Sequence, residues 1–141
     1  MSDKCFVDTN VLVYAADLSA GKKCARSQEL TEELWALRKG VLSTQVLQEL
    51  YFALRRKLEK PMPAWEAEEI LRDYSEWEVV VNNRHSLFRA IELETRYQIS
   101  FWDGLMLQAA ERAGAGVVYS EDLSHGQTYA GIRVVNPFLN P

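Results

Sequence analysis

Five short runs rich in β-branched and aliphatic residues punctuate this chain: 4–7, "VLST" (41–44), "EVVV" (78–81), "VVYS" (117–120) and "IRVVN" (132–136). Between them lie longer stretches with helical periodicity. This alternation limits the fold more than any other feature. Short apolar runs separated by helices read as strands of a parallel sheet, because parallel neighbours need a crossover and right-handed crossovers dominate. The expected class is α/β, with the sheet covered by helices on both faces.

The helices follow from the spacing of apolar residues. The run after Asp8 resumes at Val11 as a first helix, with Asn10 as a candidate cap and Ser19-Ala20-Gly21 as its end. Ala25, Leu30, Leu34 and Leu37 mark a second helix, with Gly40 expected to take the left-handed stop. Val46, Leu47, Leu50, Tyr51, Leu54 and Leu58 share a face of a third helix, which Pro61 and Pro63 interrupt. A fourth is expected over 64–74, a fifth over 85–97 through Leu87, Phe88 and Ile91, and a sixth from Ser100 to Ala113, stopped by Gly114 and Gly116. No repeat or linker-like break divides the chain, so residues 1–141 are expected to form a single domain.

Composition closes off several function classes. With 48% hydrophobic and 26% charged residues the chain suits an ordinary globular core, not a disordered or fibrous one. Cys5 and Cys24 form no metal-binding spacing and read as small buried hydrophobes. No apolar stretch approaches the roughly 20 residues that span a bilayer, and no leader pattern opens the chain. A cytoplasmic protein without a membrane partner is expected. The net charge of −4 argues against a broad electrostatic grip on nucleic acid and leaves room for a local one.

In open parallel sheets the ligand site lies beyond the carboxyl ends of the strands. Asp8 follows the first strand, Glu49 lies early in the helix after the second, and Asp122 follows "VVYS". Asp103, in the first turn of the sixth helix, can reach the same rim. Each acid has an ordinary alternative. Asp8 could cap a helix, Asp103 could complete a capping box in "SFWD", Glu49 could be a solvated helix residue, and Asp122 could sit in a turn. Glu49 distinguishes the group, because it stands among Val46, Leu50 and Ala53 where an unpartnered acid is costly. Several carboxylates on one rim must either share protons or hold a cation. All-oxygen donors select a hard ion such as Mg²⁺ or Mn²⁺, which suits phosphodiester hydrolysis. Thr9, Asn10 and Ser120 could orient that shell or meet a phosphate.

These segments carry a resemblance. "FVDTNVLVYAAD", "STQVLQELYFAL" and "ISFWDGLMLQAAERAGAGVVYSEDLSHG" resemble the PIN-domain nucleases, and among them the VapC-like toxins of toxin–antitoxin systems. The resemblance spans nearly the whole chain. It implies a three-layer α/β/α fold with a five-stranded parallel sheet, Mg²⁺ or Mn²⁺ dependence, single-strand-specific endoribonuclease activity, a cognate antitoxin and a homodimer. It places Asp8, Glu49, Asp103 and Asp122 as metal-holding catalytic residues, with Thr9 and Asn10 supporting them. Glu121 stands beside Asp122 and could substitute or assist.

Two other readings stay open at the level of sequence. A PIN-like module could bind RNA or protein without cutting. A phospho-acceptor receiver would also place an acid at a strand end, although a convincing strand-end lysine and an early acid pair are missing. Lys22, Lys23, Arg26, Arg55, Arg56 and Lys57 are candidate phosphate contacts, although solvated helix faces account for them more readily. Trp35, Tyr51, Trp65, Trp77 and Trp102 read as core or interface residues, not as base-stacking platforms. Neither a Walker A nor a G-x-G-x-x-G stretch occurs, which disfavours a nucleotide-binding enzyme.

Overall fold

The computed structural model describes residues 3–139, so the two extremes of the expected 1–141 domain lie outside the described residues. The strands are β1 (Cys5–Val7), β2 (Gly40–Ser43), β3 (Glu78–Val80), β4 (Val117–Tyr119), β5 (Thr128–Tyr129) and β6 (Ile132–Val135). The helices are α1 (Thr9–Ala15), α2 (Lys22–Leu37), α3 (Thr44–Arg56), α4 (Ala64–Tyr74), α5 (Arg84–Tyr97) and α6 (Phe101–Ala113). A single 3-10 turn, Leu18–Ala20, joins α1 to α2.

The sheet runs β3-β2-β1-β4-β6-β5. The five expected strands are there and pair in parallel. The expected count of five falls one short, because β5 adds a two-residue antiparallel strand on β6. Ala130 and Gly131 between them have φ of 50° and 81°, the positive pair that a two-residue hairpin turn requires.

The chain steps from β1 to β2 to β3 in one direction across the sheet and then returns past β1 to β4. With right-handed crossovers, that reversal puts the helices after β3 on the face opposite the earlier ones. The packing agrees: α1 meets α2 and α3, α3 meets α4, and α5 pairs with α6, which lies along β2, β3, β4 and β6. Phe6, Val7, Leu42, Val118 and Val134 fill the middle layer, with Leu50 and Leu54 from α3 and Leu107 from α6 pressed onto it. Each such side chain contributes roughly 1.5–3 kcal/mol by leaving water.

Two local expectations need correction. Asp8, not Asn10, caps α1, since its carboxylate accepts from the Thr9 amide. Arg38, at φ 55°, takes the left-handed stop of α2, and Gly40 opens β2 instead. Gly40 is small for another reason: a Cβ there would sit 2.3 Å from the Trp77 ring. In α5 the buried face carries Ser86, Ala90 and Leu93, while Leu87, Phe88 and Ile91 are exposed.

Candidate active site

The strand order reverses between β1 and β4, because β1 continues to β2 on one side and β4 to β6 on the other. Loops leaving these two strands must part in opposite directions and leave a crevice at their carboxyl ends. A cleft of about 570 Å³ opens there, and Asp8, Glu49, Asp103 and Asp122 all line it. The structure thus brings the four acids to one place from four elements.

Asp8 is the deepest of them, only 8% exposed. Its Oδ1 accepts from the Thr9 amide at 2.7 Å, and its Oδ2 accepts from Ser120 Oγ at 2.8 Å. Capping and lining the cleft are therefore done by one side chain. Ser120 Oγ also accepts from the Asp122 amide at 3.1 Å, which fixes the turn after β4. Thr9 Oγ1 donates to Glu49 Oε1 at 2.7 Å, and Asn10 Nδ2 donates to Asp122 Oδ2 at 2.8 Å. Thr9, Asn10 and Ser120 thus hold the carboxylates of Glu49, Asp122 and Asp8 respectively.

Asp103 reaches the cleft through helix geometry. Ser100 caps α6 by accepting from the Asp103 amide at 3.0 Å. Gly104 then lets α6 approach α5 closely, since a Cβ there would meet the Ala90 carbonyl oxygen at 2.6 Å. Gln45, in the first turn of α3, donates to the Trp102 carbonyl at 3.3 Å and ties the two helix starts together.

Electrostatics show what this crowding costs. Burial pushes Asp8 up to about 7, with the Asp122 and Glu49 charges adding to the rise while Ser120 and the Thr9 amide oppose it. Burial and the nearby Asp122 charge also raise Asp103, against a hydrogen bond from Ser100. None of the four acids is ion-paired with a lysine or arginine among the described residues. Their charge is compensated only by neutral donors. Among the described residues no three Asp, Glu, His or Cys side chains stand close enough to grip an ion as they are oriented. Several of the carboxylate oxygens are turned instead toward Thr9, Asn10 and Ser120.

Glu121 separates cleanly from Asp122. Its carboxylate accepts from the Tyr14 hydroxyl and from Lys23 Nζ at 2.8 Å, away from the cleft lining. Burial pushes Glu121 up, but those two donors outweigh it and hold the group below the usual carboxylate range.

A sequence profile of the PIN domain matches residues 5–130. The chain belongs to the PIN domain family. No curated protein sequence matches it at a significant level. Among solved structures, the PIN fold here is similar to the Mycobacterium tuberculosis toxin VapC20, described as cleaving the Sarcin-Ricin loop, with 19% identity and a TM-score of 0.66 over 92% of this chain and 99% of that one. A toxin–antitoxin complex from Klebsiella pneumoniae gives 17% identity and a TM-score of 0.68 over 96% and 98%. VapBC2 from Rickettsia felis, bound to a promoter DNA fragment, gives 19% and 0.63 over 92% and 96%. At such identities the likeness is one of fold.

Two further features complete this PIN domain's cleft. Of the six candidate basic residues only Lys57 lines it. Lys23 is committed to Glu121, Arg26 to Glu29 and the Pro137 carbonyl, and Arg55 to the Met62 carbonyl. Trp102 is 62% exposed on the cleft wall, so it is not a core residue. Gln45 went unnoticed in the sequence, although it stands four residues before Glu49 and therefore on the same helix face.

Proposed function

We propose that this PIN domain is a divalent-metal-dependent endoribonuclease that hydrolyses phosphodiester bonds of single-stranded or loop RNA, as the toxin of a toxin–antitoxin pair. One observation carries the reading: four carboxylates from four elements line one switch-point cleft, with no cationic side chain paired to them among the described residues. An Asp8 held at about 7 by burial and by its acidic neighbours is what such a site looks like before a cation offsets the charge.

The donor set fits Mg²⁺ or Mn²⁺ in chemistry, being all oxygen and all hard. Asp8, Glu49, Asp103 and Asp122 are the residues that would hold it. Such an ion supplies an acidified water and charge neutralisation at phosphorus. The chain's own contribution is orientation. Ser120 and the Thr9 amide fix Asp8, the Thr9 hydroxyl fixes Glu49, and Asn10 fixes Asp122, so each carboxylate keeps its place before substrate arrives.

An antitoxin partner is supported by the similar folds found in toxin–antitoxin complexes from Klebsiella pneumoniae and Rickettsia felis. A homodimer is supported by Leu87, Phe88 and Ile91, which α5 leaves exposed side by side. Among the described residues no helix is long and apolar enough to cross a membrane.

The test is cleavage of single-stranded and structured RNA by protein freed of any antitoxin, with Mn²⁺ or Mg²⁺ and then with EDTA. Asp8→Ala and Asp103→Ala should each abolish cutting while far-UV circular dichroism stays native. Full cleavage by both variants sinks the reading. RNA binding without cutting by the native protein in metal favours a non-cleaving PIN module.

A further inference from the structure

The cleft is not acidic throughout. On α3 its lining runs from Gln45 through Gln48 and Glu49 to Phe52, with Lys57 just past the helix end. At 1.5 Å per residue, Lys57 lies about 12 Å along the axis from Glu49. Trp102, on the first turn of α6, lines the same cleft.

Phe52 is 57% exposed and Trp102 is 62% exposed. Neither ring is needed to fill the core, and leaving two large rings in water beside a cleft forfeits the burial that aromatic side chains normally supply. Gln45 adds a second observation. It is buried, it lines the same cleft, and its Oε1 has no hydrogen-bond partner. That oxygen is closed off from solvent, so what Gln45 gives the cleft is its hydrogen bond to the Trp102 carbonyl, which fixes the start of α6. Lys57, exposed and without an ion pair among the described residues, supplies the only positive charge on the lining.

Two exposed rings and a lone cation, next to a cluster of carboxylates, match the parts of a nucleotide: a flat base, and a phosphate at its side. We propose that Phe52 and Trp102 form a subsite for an unpaired nucleobase of single-stranded RNA, with Lys57 on the adjoining phosphate. The proposal rests on the nuclease reading for the choice of RNA, and it deepens that reading by saying which part of the strand the cleft holds. Stacking on a ring tolerates any base, so the subsite selects unpaired strands over duplex and not one sequence. Because Gln45 holds the Trp102 carbonyl, base binding and the position of Asp103 are linked through α6.

The test separates binding from cutting. A short fluorescein-labelled single-stranded oligoribonucleotide of mixed sequence is titrated in EDTA, where turnover is stopped, and its anisotropy is read. Trp102→Ala and Phe52→Ala should each weaken binding roughly five- to a hundredfold, the usual loss for one stacked base. Trp102→Phe and Phe52→Tyr should stay near the native affinity. Lys57→Ala should lower affinity and flatten its salt dependence by about one ion. Both rings are exposed, so thermal unfolding should be little changed and will report any misfolded variant. Unchanged RNA affinity in both alanine variants overturns the subsite, whatever those variants do to a protein partner. So does an equal loss in Trp102→Phe and Trp102→Ala. Ring-dependent binding by a protein that never cuts would instead leave the subsite standing and remove the nuclease.

Discussion

Ser120 Oγ donates to Asp8 Oδ2 at 2.8 Å and so joins the carboxyl ends of β1 and β4 at the point where the strand order reverses. The same oxygen accepts from the Asp122 amide, so one buried hydroxyl sets both the deepest acid and the loop that carries another. Ser120→Ala should therefore leave the fold intact but loosen two carboxylates together. We expect kcat/KM on single-stranded RNA to fall about 10- to 100-fold, the range for residues that orient metal ligands, with the Mn²⁺ concentration for half activity rising. Native kinetics in Ser120→Ala would mean that the hydroxyl serves only the turn.

Asp8 gives a prediction about pH with a definite sign. Its folded value of about 7 lies above the roughly 3.9 of an unfolded chain, so the folded state binds this proton more tightly. The stability this contributes is complete below about pH 3.9 and is lost as pH rises through 7. Without divalent ions the native protein should lose stability between about pH 5 and about pH 8, on the order of a few kcal/mol from this group at most. Asp8→Asn should lose less over the same interval, because Asn keeps a capping oxygen but carries no charge. Differential scanning fluorimetry in EDTA at both pH values reads the difference. Parallel curves for the two proteins would refute it, and Mn²⁺ at the higher pH should restore the native protein alone.

What the sequence discloses depends on the kind of signal each feature leaves in it. The five parallel strands were legible because β-branched runs between helical stretches leave a pattern several residues long. β5 was not, since Thr128 and Tyr129 are too few to show a period and become a strand through their pairing with β6. The buried face of α5 leaves little trace, because Leu87, Phe88 and Ile91 keep helical spacing while the small residues Ser86 and Ala90 occupy the crowded side. Gly40 looked like a helix stop, and only the Trp77 ring lying over it shows why a side chain is excluded. In the cleft, the acids were readable as residues that follow strands. The roles of Gln45 and Trp102 were not, because they depend on two helix starts meeting across 57 residues of sequence.

Neighbouring acids should behave in opposite ways. Asp122 lines the cleft and is held by Asn10, whereas Glu121 is held by Tyr14 and Lys23. Asp122→Asn should cost cleavage more than the roughly 10- to 100-fold typical of supporting residues. Glu121→Gln should keep cleavage near native and lower the melting temperature slightly, as expected for a half-exposed ion pair worth under about 1 kcal/mol. Side-by-side cleavage and melting assays of the two variants decide it, and a reversed ranking would assign Glu121 the site role.

Gly104 couples the fold to the site most directly. A methyl group there would meet the Ala90 carbonyl oxygen at 2.6 Å, and that oxygen belongs to the backbone of α5, which cannot swing aside as a side chain could. Gly104→Ala must therefore push α6 away from α5, even though alanine is the better helix former by about 1 kcal/mol. Overpacking of this kind costs typically 1–3 kcal/mol, so the clash should outweigh the propensity gain. Because Asp103 precedes Gly104 on the same turn, the displacement moves a cleft carboxylate as well. Gly104→Ala should show a lowered melting temperature and a loss of cleavage that persists at temperatures where the variant is fully folded. A variant that melts at or above the native temperature would show that α5 and α6 have room to part.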